Sequence, residues 1–182
     1  DKRIYHVHIR KTAGTSLNHI FMGVSGGDDH SIYKNVASSW THSSVVNRFK
    51  YAGYDRRVIN RGNYFYAYSH LPYWQLDLPK ETYKFTCFRD PVDRVISHYK
   101  MLDDLRASGQ RHPCMAVEGR WLGDNIHDFI DNIPRPQLLN QLYMFSKEMN
   151  VTEACYAISK MDEVLFTRDL SDGLSRMSNT LG

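Results

Sequence analysis

Apolar residues along this chain switch repeatedly between a two-residue and a 3.6-residue period. Tyr5, Val7 and Ile9 alternate with His6 and His8, as on a strand; Leu17, Ile20, Phe21 and Val24 then fall at the i, i+3, i+4, i+7 spacing of a helix. The switch recurs where Tyr83, Phe85 and Cys87 alternate and Val92, Val95, Ile96 and Tyr99 follow on one helical face. Strands are predicted near residues 3–9, 57–59, 64–68, 83–88 and 163–167, and helices near 16–24 and 91–105. A third helix carries Ile126, Phe129, Ile130 and Ile133 and stops at Pro134. A fourth starts at Pro136 and runs through Leu139, Leu142 and Tyr143, and a fifth follows Thr152. The last carries Leu170, Leu174, Met177 and Leu181, with Gly182 as its C-cap. This alternation specifies an α/β domain. Residues 25–54 and 107–123 are polar, contain glycine and lack a period; they read as loops, where a binding pocket varies most.

Length and charge add bounds. At 182 residues the chain reads as one domain, 1–182, long enough for a substantial core. The formal net charge of +3 suits an anionic ligand without implying nucleic acid as a partner. No apolar run approaches a membrane span and no signal peptide is visible; because the chain opens almost directly on a strand, a leader or anchor removed upstream of Asp1 fits. Cys87, Cys114 and Cys155 are odd in number and lack metal-ligand spacing, so Cys87 reads as core and the others as free thiols.

Two segments carry candidate chemistry. The first, His8-Ile9-Arg10-Lys11-Thr12-Ala13-Gly14-Thr15-Ser16-Leu17, joins a strand to a helix through a short loop. The first N–H groups of a helix lack intrahelical partners and carry the positive end of its dipole, so such a loop is a natural anion site. Gly14 permits close backbone approach, and Lys11 adds a full charge. The order G-x-x-x-x-G-K-[ST] of nucleoside-triphosphate loops is absent, since here the lysine precedes the glycine. The same residues also fit an ordinary turn with Thr15 or Ser16 as N-cap.

The second segment reads Phe88-Arg89-Asp90-Pro91-Val92-Asp93-Arg94-Val95-Ile96-Ser97. Asp90 is a good N-cap, Pro91 suits the first helical position, and Asp93 completes a variant capping box. Arg89 then projects from a strand end, and Ser97 lies roughly 9 Å along the helix at 1.5 Å per residue. A guanidinium can bridge that gap onto a shared phosphate. The alternative is a plain helix start, with Arg89 pairing a carboxylate and Ser97 on a solvated face. Taken together, the two segments describe a site for a ligand with two separate phosphates, the shape of 3′-phosphoadenosine-5′-phosphosulfate.

Lys11-Thr12-Ala13-Gly14-Thr15-Ser16 resembles the 5′-phosphosulfate-binding loop of the sulfotransferases, and Arg89 with Ser97 resembles that family's 3′-phosphate-binding pair. The most similar subgroup is the carbohydrate O-sulfotransferases of the heparan and uronyl type and their bacterial relatives, which often have Pro where this chain has Arg10. Ser69-His70-Leu71-Pro72-Tyr73 resembles a Gly-His element of the subgroup, with Ser in place of Gly. Leu138-Leu139-Asn140-Gln141-Leu142 and Val164-Leu165-Phe166-Thr167-Arg168-Asp169-Leu170 are weaker echoes. The resemblance implies a P-loop-like three-layer fold with a central, mainly parallel sheet, and no metal requirement. It implies that backbone N–H groups of Thr12, Ala13, Gly14, Thr15 and Ser16, with Lys11, hold the 5′-phosphate, while Arg89 and Ser97 hold the 3′-phosphate.

Sulfuryl transfer further needs a base and stabilisation of the leaving oxygen. His70, at the end of a predicted strand, is the candidate base, and Lys11 the candidate for the leaving phosphate. His6 and His8 read as strand residues and His98 as a helix-face residue. Glu118 is the reserve candidate base. The expected co-substrate is 3′-phosphoadenosine-5′-phosphosulfate, and the expected acceptor a hydroxyl on a glycan or sugar-containing small molecule. The expected compartment is the cytoplasm for a bacterial chain and the Golgi lumen for a eukaryotic one. A nucleotide-dependent kinase of related fold and a non-catalytic nucleotide-binding module are the alternatives.

Overall fold

Strand β1 (Arg3–Val7) is buried along nearly its whole length, so it needs cover on both faces and lies at the centre of a sheet. In the computed structural model, which describes residues 2–38 and 41–182, β2 (Ser43–Val46), β3 (Phe49–Gly53), β4 (Tyr66–Ser69), β5 (Thr82–Phe88) and β6 (Glu163–Phe166) complete it. The order is β2-β3-β4-β1-β5-β6. All neighbouring pairs are parallel except the β2–β3 hairpin. Ile4 of β1 faces one layer, where it meets Leu17, Phe21 and Met22 of α1 (Gly14–Gly23), Ile32 and Val36 of α2 (Asp29–Ser38), and Met177 near the chain's end. Tyr5 and Val7 face the other, with Ile59 of α3 (Arg56–Arg61), Met144, Phe145 and Ala154. The result is a three-layer α/β fold with a mainly parallel sheet.

Register aligns three strand ends at one edge. Val7 lies opposite Ser69 of β4 on one side and Thr86 of β5 on the other. The chain therefore leaves the sheet at His8, His70 and Arg89 within one neighbourhood, outside the carboxyl ends of parallel strands, where α/β folds place ligands.

Several predicted elements are corrected. Residues 57–59 form part of helix α3, because Asp55 caps it by accepting from the Arg57 N–H (2.8 Å) and Gly62, at φ 68°, ends it. These two caps outweigh the β-branched pair Val58-Ile59. The segment 25–54, read as loop, contains α2 and the β2–β3 hairpin; α2 buries only Ile32 and Val36, and β2 is a half-exposed edge strand, so neither shows a strong period. The segment 107–123 holds α5 (Pro113–Glu118), capped by His112. α4 (Pro91–Ser108) runs past residue 105 to Gly109, at φ 64°.

The third predicted helix is α6 (Ile126–Asn132), while the fourth is two turns, α7 (Arg135–Leu138) and α8 (Asn140–Tyr143). The break has a cause. Buried Arg94 reaches across from α4, and its Nη2 donates to the carbonyls of Gln137 and Leu138, each at 2.8 Å. Those carbonyls are thereby satisfied outside a continuous helix. The fifth and last predicted helices are α9 (Val151–Ile158) and α10 (Leu170–Leu181).

Candidate active site

The loop after β1 is unusual in its backbone. Lys11 (φ 68°) and Ala13 (φ 64°) both occupy the left-handed region, which costs a non-glycine residue about 1–2 kcal/mol. Alternation of this kind turns successive N–H groups toward one side, making an anion-binding concavity. Ala13 is the N-cap of α1, so the N–H groups of Gly14, Thr15 and Ser16 have no acceptor inside the helix. Thr12 is fully buried and its hydroxyl donates to the Ile9 carbonyl (2.9 Å), which pins the loop. Its side chain is thus committed, and only its backbone remains for a ligand. Gly14 is required by packing: a Cβ there would lie 1.6 Å from Nε2 of His8. The close approach it permits is to this imidazole.

Lys11, Ala13, Gly14, Thr15, Ser16, His70, Arg89 and Ser97 all line one cleft of about 350 Å³. An adjoining hollow of about 560 Å³ shares Lys11, Ser97, Met101 and His112 with it. Among the described residues, no Asp or Glu lines the first cleft. The side-chain nitrogens of Lys11 and Arg89 have no hydrogen-bond or ion-pair partner among the described residues. Burial, reinforced by the charges of Arg10 and Arg89, holds the Lys11 ammonium below its usual range.

Arg89 is held by its backbone. Gln141 accepts from the Arg89 N–H through Oε1 (2.9 Å) and donates to the Arg89 carbonyl through Nε2 (3.0 Å). One amide thereby satisfies both main-chain groups of a residue that has just left the sheet, and the guanidinium stays free to face the cleft. Asp90 caps α4 by accepting from Val92 N–H (2.9 Å) and Asp93 N–H (3.1 Å); the reciprocal bond expected of Asp93 is not formed.

His70 lies against His8, ring centroids 4.3 Å apart, and its Nδ1 is 2.8 Å from the His8 carbonyl. A carbonyl only accepts, so Nδ1 carries the proton and Nε2 holds the lone pair. Burial pushes the His70 pKa down to about 4; the bond to His8 opposes this, and Arg10 adds to it. The outer edge of the ring is open to the cleft, where water screens part of that effect, and the ring is neutral at pH 7. Ser69, standing where the resembling element has Gly, does not need a positive φ. It is fully buried, and its Oγ hydrogen-bonds with the Tyr5 hydroxyl (2.7 Å) and accepts from Leu71 N–H (3.1 Å).

Three residues differ from their sequence readings. His8 lies past the end of β1, lines the cleft and is almost fully buried. Burial, with His70, His6 and Arg10 nearby, keeps it neutral. His98 points away from Ser97 into the protein, where its Nε2–H donates to Glu118 Oε2 (2.8 Å). Glu118 is not a free base, because its other oxygen accepts from Arg10. Burial alone would raise the Glu118 pKa, but the bonds from His98 and Arg10 outweigh it and hold the carboxyl below its usual range.

Gln141 and the cleft residues Arg10 and Tyr33 are not identified as site residues from sequence. Only the run around Asn140-Gln141 offered a signal. No described helix is long and apolar enough to cross a membrane. Searches of curated proteins and of solved structures found no match. A family model described as the sulfotransferase family matches residues 1–157, most of the chain and every described residue lining the first cleft, and the chain belongs to that family.

Proposed function

We propose that this protein transfers a sulfuryl group from 3′-phosphoadenosine-5′-phosphosulfate to an acceptor hydroxyl, with a carbohydrate as the acceptor class. The observation that carries the reading is the pair of unpartnered cations, Lys11 and Arg89, in one cleft with no carboxylate among its described lining residues. A ligand with two anionic groups answers both charges, whereas a kinase site would also need an acid to hold a metal–nucleotide complex, and Asp104 lines only the adjoining hollow.

In this reading the N–H groups at the start of α1 and Lys11 hold the 5′-phosphosulfate, and Arg89 with Ser97 holds the 3′-phosphate. His70 Nε2 takes the proton of the acceptor hydroxyl as its oxygen bonds to sulfur. The bond from sulfur to the bridging oxygen breaks in line, and the electron pair leaves with the 5′-phosphate. Lys11 stabilises the charge gained there. No covalent enzyme intermediate is needed. The same cleft chemistry fits a module that binds the nucleotide without turnover, and transfer of radiolabelled sulfate from the donor to a panel of glycans separates the two. Labelled product that requires His70 supports the enzyme. Tight bisphosphate binding with no labelled product on any acceptor class would contradict it.

A further inference from the structure

A second cluster of chemically capable side chains lies apart from the cleft, where α1 meets α2. His19 of α1 and Asp29 and His30 at the start of α2 place one ligand atom each within 4.8 Å of one another. Three-ligand tetrahedral sites hold their donors about 3.4 Å apart at metal–ligand distances near 2.1 Å. Nδ1 of His19 and Oδ2 of Asp29 already stand 3.0 Å apart, and the two imidazole centroids are 4.4 Å apart.

The cluster is held before any ion arrives. The other oxygen of Asp29 accepts from the His30 N–H at 2.9 Å, which turns Oδ2 toward His19. Tyr33, one turn further along α2, stacks on the His19 ring at 5.2 Å. His19 is partly buried, while His30 is exposed and leaves a solvent route and an open position for water. His19 is the only ion-pair partner of Asp29 among the described residues.

We propose that His19, Asp29 and His30 form a binding site for a divalent transition-metal ion of the zinc class. Two neutral imidazoles and one carboxylate supply a nitrogen-rich donor set with one negative charge, which suits zinc, cobalt or nickel and not magnesium or calcium. On binding through Nδ1, the His19 imidazole carries its proton on Nε2. The site ties together two helices that both reach the cleft. α1 begins at the anion loop, and α2 supplies Tyr33 to the cleft wall. The ion is a clamp on the cleft's frame and takes no part in sulfuryl transfer. This inference is independent of the proposed function.

The test is calorimetric titration of the whole chain with zinc chloride, repeated on Asp29→Asn, His30→Ala and His70→Ala. The His70 variant controls for zinc bound by the cleft histidines. His30 is exposed and Asn is isosteric with Asp, and circular dichroism checks that each variant is folded. The expected result is one saturable site, weakened about 10-fold or more by each of the first two substitutions and unchanged by the third. Cobalt bound to the native chain should show visible absorption bands that both of the first two substitutions remove. Absence of saturable binding, or a single site that keeps its native affinity in Asp29→Asn or His30→Ala, would overturn the proposal.

Discussion

The Nδ1–H of His70 donates to the carbonyl of His8 at 2.8 Å, so the end of β4 fixes the tautomer of its histidine against the end of β1. Nε2 is left as the proton acceptor. With this ring as base, His70→Ala lowers kcat by about 10²–10⁴ while leaving bisphosphate nucleotide binding intact. Because desolvation lowers the pKa from its usual value, the base stays in its active form at pH 7–8, and the ascending limb of kcat/KM lies below about pH 6.5. Steady-state kinetics of the variant and a pH profile check both. Near-full activity in His70→Ala would require another base.

Gln141 fixes Arg89 through both main-chain groups, so its removal should act on the 3′-phosphate selectively. Gln141→Ala is expected to reduce the preference for adenosine-3′,5′-bisphosphate over AMP while AMP affinity stays near the wild-type value. Calorimetry with the two nucleotides measures this. Equal loss for both would indicate a general disruption of the cleft.

Lys11 has no ion-pair partner in the cleft, and in the proposed reaction it meets charge that grows on the leaving oxygen. Lys11→Ala should therefore lower kcat by a larger factor than it weakens product-nucleotide binding, as interactions made mainly in the transition state do. Unchanged turnover on a competent acceptor would remove Lys11 from the mechanism.

The strand-to-helix segments were legible because each states its own boundary. The period changes at the β1–α1 loop, and Asp90-Pro91 signals the start of α4, so Lys11, Arg89 and Ser97 could be placed from sequence. The strand expected at 57–59 is a helix because the caps Asp55 and Gly62 outweigh the β-branched pair Val58-Ile59. The hairpin and α2 were hidden because half-exposed elements leave weak periods. Gln141 and the Arg10–Glu118–His98 network were out of reach for a different reason. Their partners lie far along the chain, and only the fold brings them together.

Burial keeps His6 and His8 neutral: the His6 pKa is pushed down to about 3, and that of His8 lies well below its usual value. The unfolded chain takes up these protons near pH 6.5, the folded chain only at much lower pH, so the folded state binds fewer protons and loses stability as pH falls. Each such histidine contributes a slope approaching about 1.4 kcal/mol per pH unit below 6.5. Urea midpoints should be level between pH 7.5 and 7.0 and fall from pH 6.5 to 5, before the carboxylates titrate. A midpoint that holds or rises over that lower interval would contradict the neutral histidine column.

In the proposed reading the cleft binds two anionic groups of one nucleotide, and calorimetric titration with adenosine-3′,5′-bisphosphate and AMP measures this. Charge-assisted bonds from Arg89 and Ser97 to the 3′-phosphate should be worth about 1.5–3 kcal/mol each. The bisphosphate is expected to bind at least about 10-fold more tightly than AMP, and Arg89→Ala to remove most of the difference. Equal affinity of the native protein for the two nucleotides would contradict it.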